Sequence, residues 1–131
     1  MEKSTIEQDF AELIKILKDN RKYCLWASRA NSEQYVKHLA EEAEEVIRAV
    51  KTKDNKNISE ELGDLFWDAM MFALIAEEEG KINTNDIIKG VIQKMKERKP
   101  HVFEKRFITK EESDKYWYEA KARQKKEGIN L

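Results

Sequence analysis

The sequence predicts an all-α fold: an antiparallel helical bundle of about five helices that oligomerises through a central apolar helix. Three observations lead there. Four glycines and one proline occur in 131 residues, far fewer turn-formers than sheet proteins or disordered chains use. Hydrophobic residues make up 40% and charged residues 39%, a mixture that suits amphipathic helices with broad solvated faces. Capping-box spacings also precede apolar runs of helical period.

The first helix is expected to begin near Ser4, which has Glu7 at capping-box spacing, with Ile6, Phe10, Leu13, Ile14 and Leu17 on one face. The stretch from Asn20 to Asn31, containing Tyr23, Cys24 and Trp26, reads as a loop or broken helix. A second helix starts near Asn31 or Ser32 and runs to about Lys51. Its apolar face is Val36, Leu39, Ala43, Val46, Ile47 and Val50. The third opens with Asn57 as cap, Glu60 three residues later, and ends at Gly80. A fourth spans about Thr84 to Lys99 and stops before Pro100. The last begins at Thr109, which has Glu112 at capping-box spacing, and ends near Gly128. With no repeat or linker in evidence, residues 1–131 read as one domain, its helical core about 32–99 and its closing helix about 110–127.

Composition removes several function classes. Lys+Arg 25 against Asp+Glu 26 gives a formal net charge of -1, so no basic excess draws the chain to a nucleic-acid polymer or a membrane surface. The one cysteine, Cys24, excludes an intramolecular disulfide and a multi-cysteine zinc site. The opening residues Met1-Glu2-Lys3-Ser4 lack the apolar core of a signal peptide. Leu65 to Ala76, the most apolar stretch, is interrupted by Asp68 and is too short to span a bilayer. A cytoplasmic protein is expected.

The functional signal lies in two acidic clusters, Glu41-Glu42-Ala43-Glu44-Glu45 and Glu60-Glu61-Leu62-Gly63-Asp64. At about 100° per residue, Glu42 and Glu45 share one sector, as do Glu61, Asp64 and Asp68. The short connection makes the second and third helices antiparallel neighbours. Glu42 should then stand level with Asp64, and Glu45 with Glu61. The third helix is apolar around nearly its whole circumference apart from this acidic stripe, which points to burial of the stripe in a cleft. Carboxylates crowded there repel one another and lose hydration, so a cation must compensate. All-oxygen ligands select a hard dication, Mg²⁺ with Mn²⁺ as a possible substitute, at Glu42, Glu45, Glu61 and Asp64. Glu44 and Glu60 read as solvated charges, Glu44 with Arg48 as its helical neighbour. Asp68 is open between ligand, outer-sphere group and ion-pair partner.

The pattern Glu41-Glu42-x-x-Glu45, fifteen residues, then Glu61-x-x-Asp64 resembles the signature of the MazG nucleotide pyrophosphohydrolases. Lys94-Met95-Lys96-Glu97-Arg98-Lys99-Pro100-His101-Val102-Phe103 looks like the segment that follows in that family, and a closing helix with Trp117 and Lys121 completes the order. The resemblance covers roughly Leu25 to Lys126. It implies an all-α enzyme, usually oligomeric, that hydrolyses nucleoside triphosphates to monophosphate and diphosphate. By similarity Glu42, Glu45, Glu61 and Asp64 would hold Mg²⁺, while Lys94 and Arg98 contact phosphates with help from Trp117 and Lys121. Members often carry Cys-Pro-Trp-Asp before the acidic helix. Here the chain reads Cys24-Leu25-Trp26-Ala27, so that loop lacks its acid.

The expected chemistry follows from charge. Metal and cations neutralise the triphosphate before water attacks phosphorus. Arg98 suits a bidentate phosphate contact and Lys94 a compact charge. Glu41, not committed to metal, is the first candidate to accept the proton of water, with Glu45 or an outer-sphere water as alternatives. Lys94 and Arg98 also read as helix-end charges, Trp117 as a core or subunit-contact aromatic. Trp26 either stacks a nucleobase or covers the bundle. The leading function is nucleotide-pool housecleaning by a Mg²⁺-dependent nucleoside triphosphate pyrophosphohydrolase. A related phosphoribosyl-ATP or dUTP/dCTP-directed hydrolase is the alternative within the class. From another class comes a non-catalytic, cation-binding helical oligomerisation module. The apolar third helix predicts a homodimer or dimer of dimers.

Overall fold

The computed structural model describes residues 2–128. Among them are seven helices and no strand: α1 Ile6–Tyr23, α2 Leu25–Arg29, α3 Ser32–Thr52, α4 Asn55–Glu78, α5 Thr84–Arg98, α6 Pro100–Phe103 and α7 Lys110–Lys126. The five expected helices are present, and two short ones, α2 and α6, join them. The region read as a broken helix is the end of α1 followed by α2, with Cys24 extended between them (φ -83, ψ 119). No helix among the described residues is long and apolar enough to cross a membrane.

Local chemistry sets the helix starts. Thr5, not Ser4, caps α1: its hydroxyl accepts the Gln8 N–H, and Gln8 accepts the Thr5 N–H at 2.9 Å. Asn31 and Gln34 form the same reciprocal box on α3, as do Thr109 and Glu112 on α7. The third expected start moves as well. Asp54 caps α4 by accepting the Asn57 N–H, so the helix begins at Asn55 and Asn57 lies inside it. Each such cap contributes about 1 kcal/mol. Between α3 and α4, Lys53 turns the chain in the left-handed region at φ 57.

The chain divides into two units, one through Thr84 and one from Asn85. In the first, α3 and α4 form an antiparallel hairpin: the start of α3 at Ser32 meets Glu79 just beyond α4. Its core is Leu17, Ala27, Ala30, Tyr35, Met71 and Ile75, with Leu13, Trp67, Met70, Phe72 and Leu74 packed against it. The face α3 turns inward is only partly the apolar one expected, with Leu39 and Val46 half-buried. Ser32, Tyr35 and Ala49 are buried, whereas Val36, Ile47 and Val50 are about half exposed, at 45%, 48% and 53%. Small and aromatic residues are the fully buried ones on α3, and Val36, Ile47 and Val50 of the aliphatic stripe reach solvent. The apolar part of the α4 circumference is likewise only partly covered, because Leu62 and Phe66 reach solvent.

Arg21 fastens α2 to this hairpin. One of its nitrogens donates to the Ala27 carbonyl at 2.5 Å and the Ala30 carbonyl at 2.9 Å, while Nε pairs with Glu78 at 2.5 Å. In the second unit, α5, α6 and α7 bury Arg98, Ala120 and Gln124, and His101 stacks on Tyr116.

Candidate functional site

The hairpin brings three of the four expected metal ligands together. Carboxylate oxygens of Glu42, Glu61 and Asp64 lie within 4.8 Å of one another. That span is roughly twice a metal–oxygen distance of about 2.1–2.5 Å, so one hard cation can reach all three. Glu42 thus faces both Glu61 and Asp64, which stand one turn apart on α4, rather than Asp64 alone.

Glu45 is not part of this group. Its carboxylate takes a short ion pair from Arg48, one turn further along α3. Arg48 therefore answers Glu45 and not Glu44. Glu41 is exposed, with Oε2 3.8 Å from His38 Nδ1.

Electrostatics single out Glu42. Burial first, then Glu61, Asp64 and Asp68 nearby, push its carboxyl up to about 7. Its Oε2 is buried and has no hydrogen-bond partner among the described residues. A buried carboxylate oxygen without a donor is costly, and a dication would satisfy it while reversing the repulsion that raises its pKa. The donor set is all oxygen, so the residues present fit a hard dication. Asp68 is half buried, and burial raises its pKa, with His38 acting against that shift and Asp64 and Glu41 adding to it.

Next to the carboxylates stands an aromatic group formed by Trp26, Tyr35 and His38. The Trp26 ring lies 5.5 Å from Tyr35 and 5.6 Å from His38, the latter edge-on at 77°. Tyr35 is buried beneath them, and its hydroxyl pKa is raised by burial and by the charge of Asp68. Trp26 remains 54% exposed, so it does not simply seal the bundle.

In the second unit, Arg98 is buried to 6% exposure and its guanidinium lies 4.6 Å from the centre of the Trp117 ring. Arg98 Nε donates to Gln124 Oε1 at 3.0 Å, and Gln124 in turn donates to Glu97. Arg98 Nη2 is buried without a partner among the described residues. Lys99 sits 5.5 Å from the same indole, at a cavity of about 300 Å³ lined also by Ser113, Asp114 and Tyr118. Arg98 and Trp117 are therefore in contact with each other. Lys94 is half buried and Lys121 is exposed on α7. Gln124 and Glu97, which hold the guanidinium, were not among the expected site residues. A glutamine inside a basic helix end carries no sequence signal of its own.

Residues 30–103 match the family model of the MazG nucleotide pyrophosphohydrolase domain. The chain is 34% identical over 96 residues to a nucleoside triphosphate pyrophosphohydrolase/pyrophosphatase MazG of Thermotoga maritima, covering 72% of this chain and 38% of that one. It is 33% identical over 87 residues to a nucleoside triphosphate pyrophosphohydrolase of Escherichia coli, covering 66% of this chain and 33% of the relative. It thus spans only about a third of the length of these curated relatives. The crystal structure of a mazG-related protein from Thermotoga maritima superposes with a TM-score of 0.80 at 35% identity, over 86% of this chain and 98% of that one. With the family model matched over more than half its length, the chain belongs to the MazG nucleotide pyrophosphohydrolase domain family.

Proposed function

We propose that this protein is a Mg²⁺-dependent pyrophosphohydrolase that converts nucleoside triphosphates to monophosphate and diphosphate, acting as a single domain in cytoplasmic nucleotide-pool housecleaning. The observation that carries the reading is Glu42: a half-buried carboxyl beside Glu61 and Asp64, with one buried oxygen that has no donor among the described residues. Such a group is expensive as a structural element and useful as a ligand.

Glu42, Glu61 and Asp64 would hold the ion, with Glu45 joining once its carboxylate leaves Arg48. When bound, Mg²⁺ or Mn²⁺ supplies charge neutralisation for the phosphates and acidifies water. Glu41, exposed beside the cluster, accepts the proton of the attacking water. Arg98 offers its unpartnered Nη2 to a phosphate oxygen, and Lys94 adds a second positive charge. The Trp117 ring and Gln124 hold the guanidinium in one orientation, so little side-chain entropy is lost when phosphate arrives. Lys121 assists from α7, and Trp26 offers its exposed ring to the base.

Assembly as a homodimer or dimer of dimers accounts for the half-exposed Val36, Ile47 and Val50 of α3 and Phe66 of α4. Apolar surface of that extent is rarely left to water. Sedimentation at micromolar concentration should show a dimer or larger, and a monomer would refute the assembly.

Pyrophosphate release from a panel of nucleoside triphosphates with Mg²⁺ tests the activity. Release by the unaltered protein, with loss of at least about 100-fold in Glu42→Gln and Asp64→Asn at unchanged helicity, is expected. No release from any triphosphate, or full turnover in either variant, would overturn it.

A further inference from the structure

Helix α5 carries an apolar seam that is covered at one end and open at the other. Ile88, Val91, Met95 and Arg98 follow at spacings of three, four and three residues, which sets them on one face of a helix. Ile87 and Ile92 flank that face. At the far end α7 packs on it: the Trp117 ring lies 4.6 Å from the Arg98 guanidinium, Gln124 accepts from Arg98, and Arg98 is buried. Met95 is half-buried. Toward the start of α5 the cover stops, and Ile87, Ile88, Val91 and Ile92 are 46–49% exposed.

The unit that holds this seam has little core of its own. Among its described residues Ala120 is the one fully buried apolar side chain, beside Arg98 and Gln124. Small units with so little buried apolar surface are held by disulfides, metals or association. No cysteine occurs other than Cys24, and the carboxylates placed to hold a metal are on α3 and α4. Association remains.

A second copy of the chain fits the open seam. In an antiparallel, two-fold pairing of α5 with α5, Ile88 of each copy meets Val91 of the other, so each apolar side chain finds another. The four half-exposed side chains leave roughly 350 Å² of apolar surface, a patch of the size that marks an interface. Doubled across the axis and widened by a polar rim, it reaches the roughly 1,000 Å² that a specific contact needs. Lys89 and Gln93, on the opposite side of the helix, are exposed, so the pairing buries no charge.

We infer that the open seam of α5 is a two-fold interface with a second copy of this chain, distinct from the exposed α3 and α4 residues, and that this contact braces the helix carrying Arg98. The second part rests on the pyrophosphohydrolase reading of Arg98. A cation that meets phosphate works best when held in place, and a seam covered from Ile87 to Arg98 holds α5 along its length.

Sedimentation of the full chain at micromolar concentration tests the interface, with circular dichroism to confirm unchanged helicity. Ile88→Lys and Val91→Glu, each at a half-exposed position, should each weaken association at least about tenfold. The double change, Ile88→Lys with Val91→Glu, sets opposite charges against each other across the axis and should bring association back to within about threefold of the unaltered chain. Lys89→Glu, on the far side of α5, should leave association as it is. In the dissociated single variants KM for a triphosphate should rise about threefold or more, with Mn²⁺ affinity unchanged. Association untouched by Ile88→Lys and Val91→Glu, or no recovery in the double variant, would overturn the interface. A KM that stays constant on dissociation would overturn its tie to Arg98. Association that follows these changes in a protein cleaving no triphosphate would uphold the interface and remove the hydrolase reading.

Discussion

Glu79 clasps Ser32: one carboxylate oxygen accepts the Ser32 backbone N–H at 3.0 Å and the other its hydroxyl at 2.5 Å. This ties the end of α4 to the first turn of α3 and thereby sets the height at which the two acidic stripes meet. Lys81 joins at 3.0 Å from both Glu79 and the Ser32 hydroxyl. These hydrogen bonds, those from Ser32 first, hold the Glu79 carboxyl down at about 2. A carboxyl lower in the folded than in the unfolded chain stabilises fully above its ordinary range near 4.5, and that contribution is lost as pH falls toward 2. Melting temperature should therefore drop between pH 5 and 2. Glu79→Gln should lower it at neutral pH and flatten the acid limb. An acid limb identical in the variant would show that the clasp contributes nothing.

Glu42 acts in the opposite direction. Its carboxyl is raised to about 7 in the folded chain, so the folded state holds a proton that the unfolded state releases near 4.5. Without metal, the Glu42 contribution to stability should be full below about 4.5 and be lost as pH rises through 7. Thermal melts in a chelator should show that decline. Glu42→Gln should remove much of it and melt higher than the unaltered chain at pH 8. Added Mg²⁺ at pH 8 should raise the melting temperature of the unaltered chain and not of the variant.

How the helices begin was legible where the signal is local. Thr109 with Glu112 caps as its spacing suggests, and Asn31, one of two expected starts, caps α3 with Gln34. Neighbouring candidates confused the other two starts: Thr5 displaces Ser4, and Asp54 displaces Asn57. The acidic spacing on two adjoining helices was enough to assemble Glu42, Glu61 and Asp64, because hairpin geometry follows from the short connection. Glu45 differs because Arg48, one turn away, competes for its carboxylate. The inward face of α3 was misread because hydrophobicity alone marks Val36, Ile47 and Val50. Packing instead buries Ala49, and Tyr35, which clusters with Met71 and Ile75. The Arg98–Gln124 bond joins residues 26 apart, and no periodicity encodes such a pairing.

Arg21 supports α2 through two carbonyls and Glu78. Arg21→Ala would leave both carbonyls without their donor and release Trp26 from its place. A loss of about 2 kcal/mol in urea denaturation is expected, together with a rise in KM for the triphosphate. Unchanged KM would mean that α2 takes no part in binding.

Gln124 is buried between Glu97 and Arg98. Gln124→Leu removes both the acceptor for Arg98 and the donor to Glu97, leaving a buried guanidinium with another unpaired nitrogen. Stability should fall by about 2–3 kcal/mol, and the intrinsic fluorescence of Trp117 should shift as the cation leaves its ring. A variant as stable as the unaltered chain would show that Arg98 needs no such support.

The central claim is that Glu42, Glu61 and Asp64 jointly hold one hard dication. Mn²⁺ titration followed by electron paramagnetic resonance reads this directly, independent of any substrate. One bound ion per chain at pH 8, weakened at least about tenfold in Asp64→Asn and in Glu61→Gln, is the predicted result. Equal Mn²⁺ affinity in the unaltered chain and both variants would contradict it.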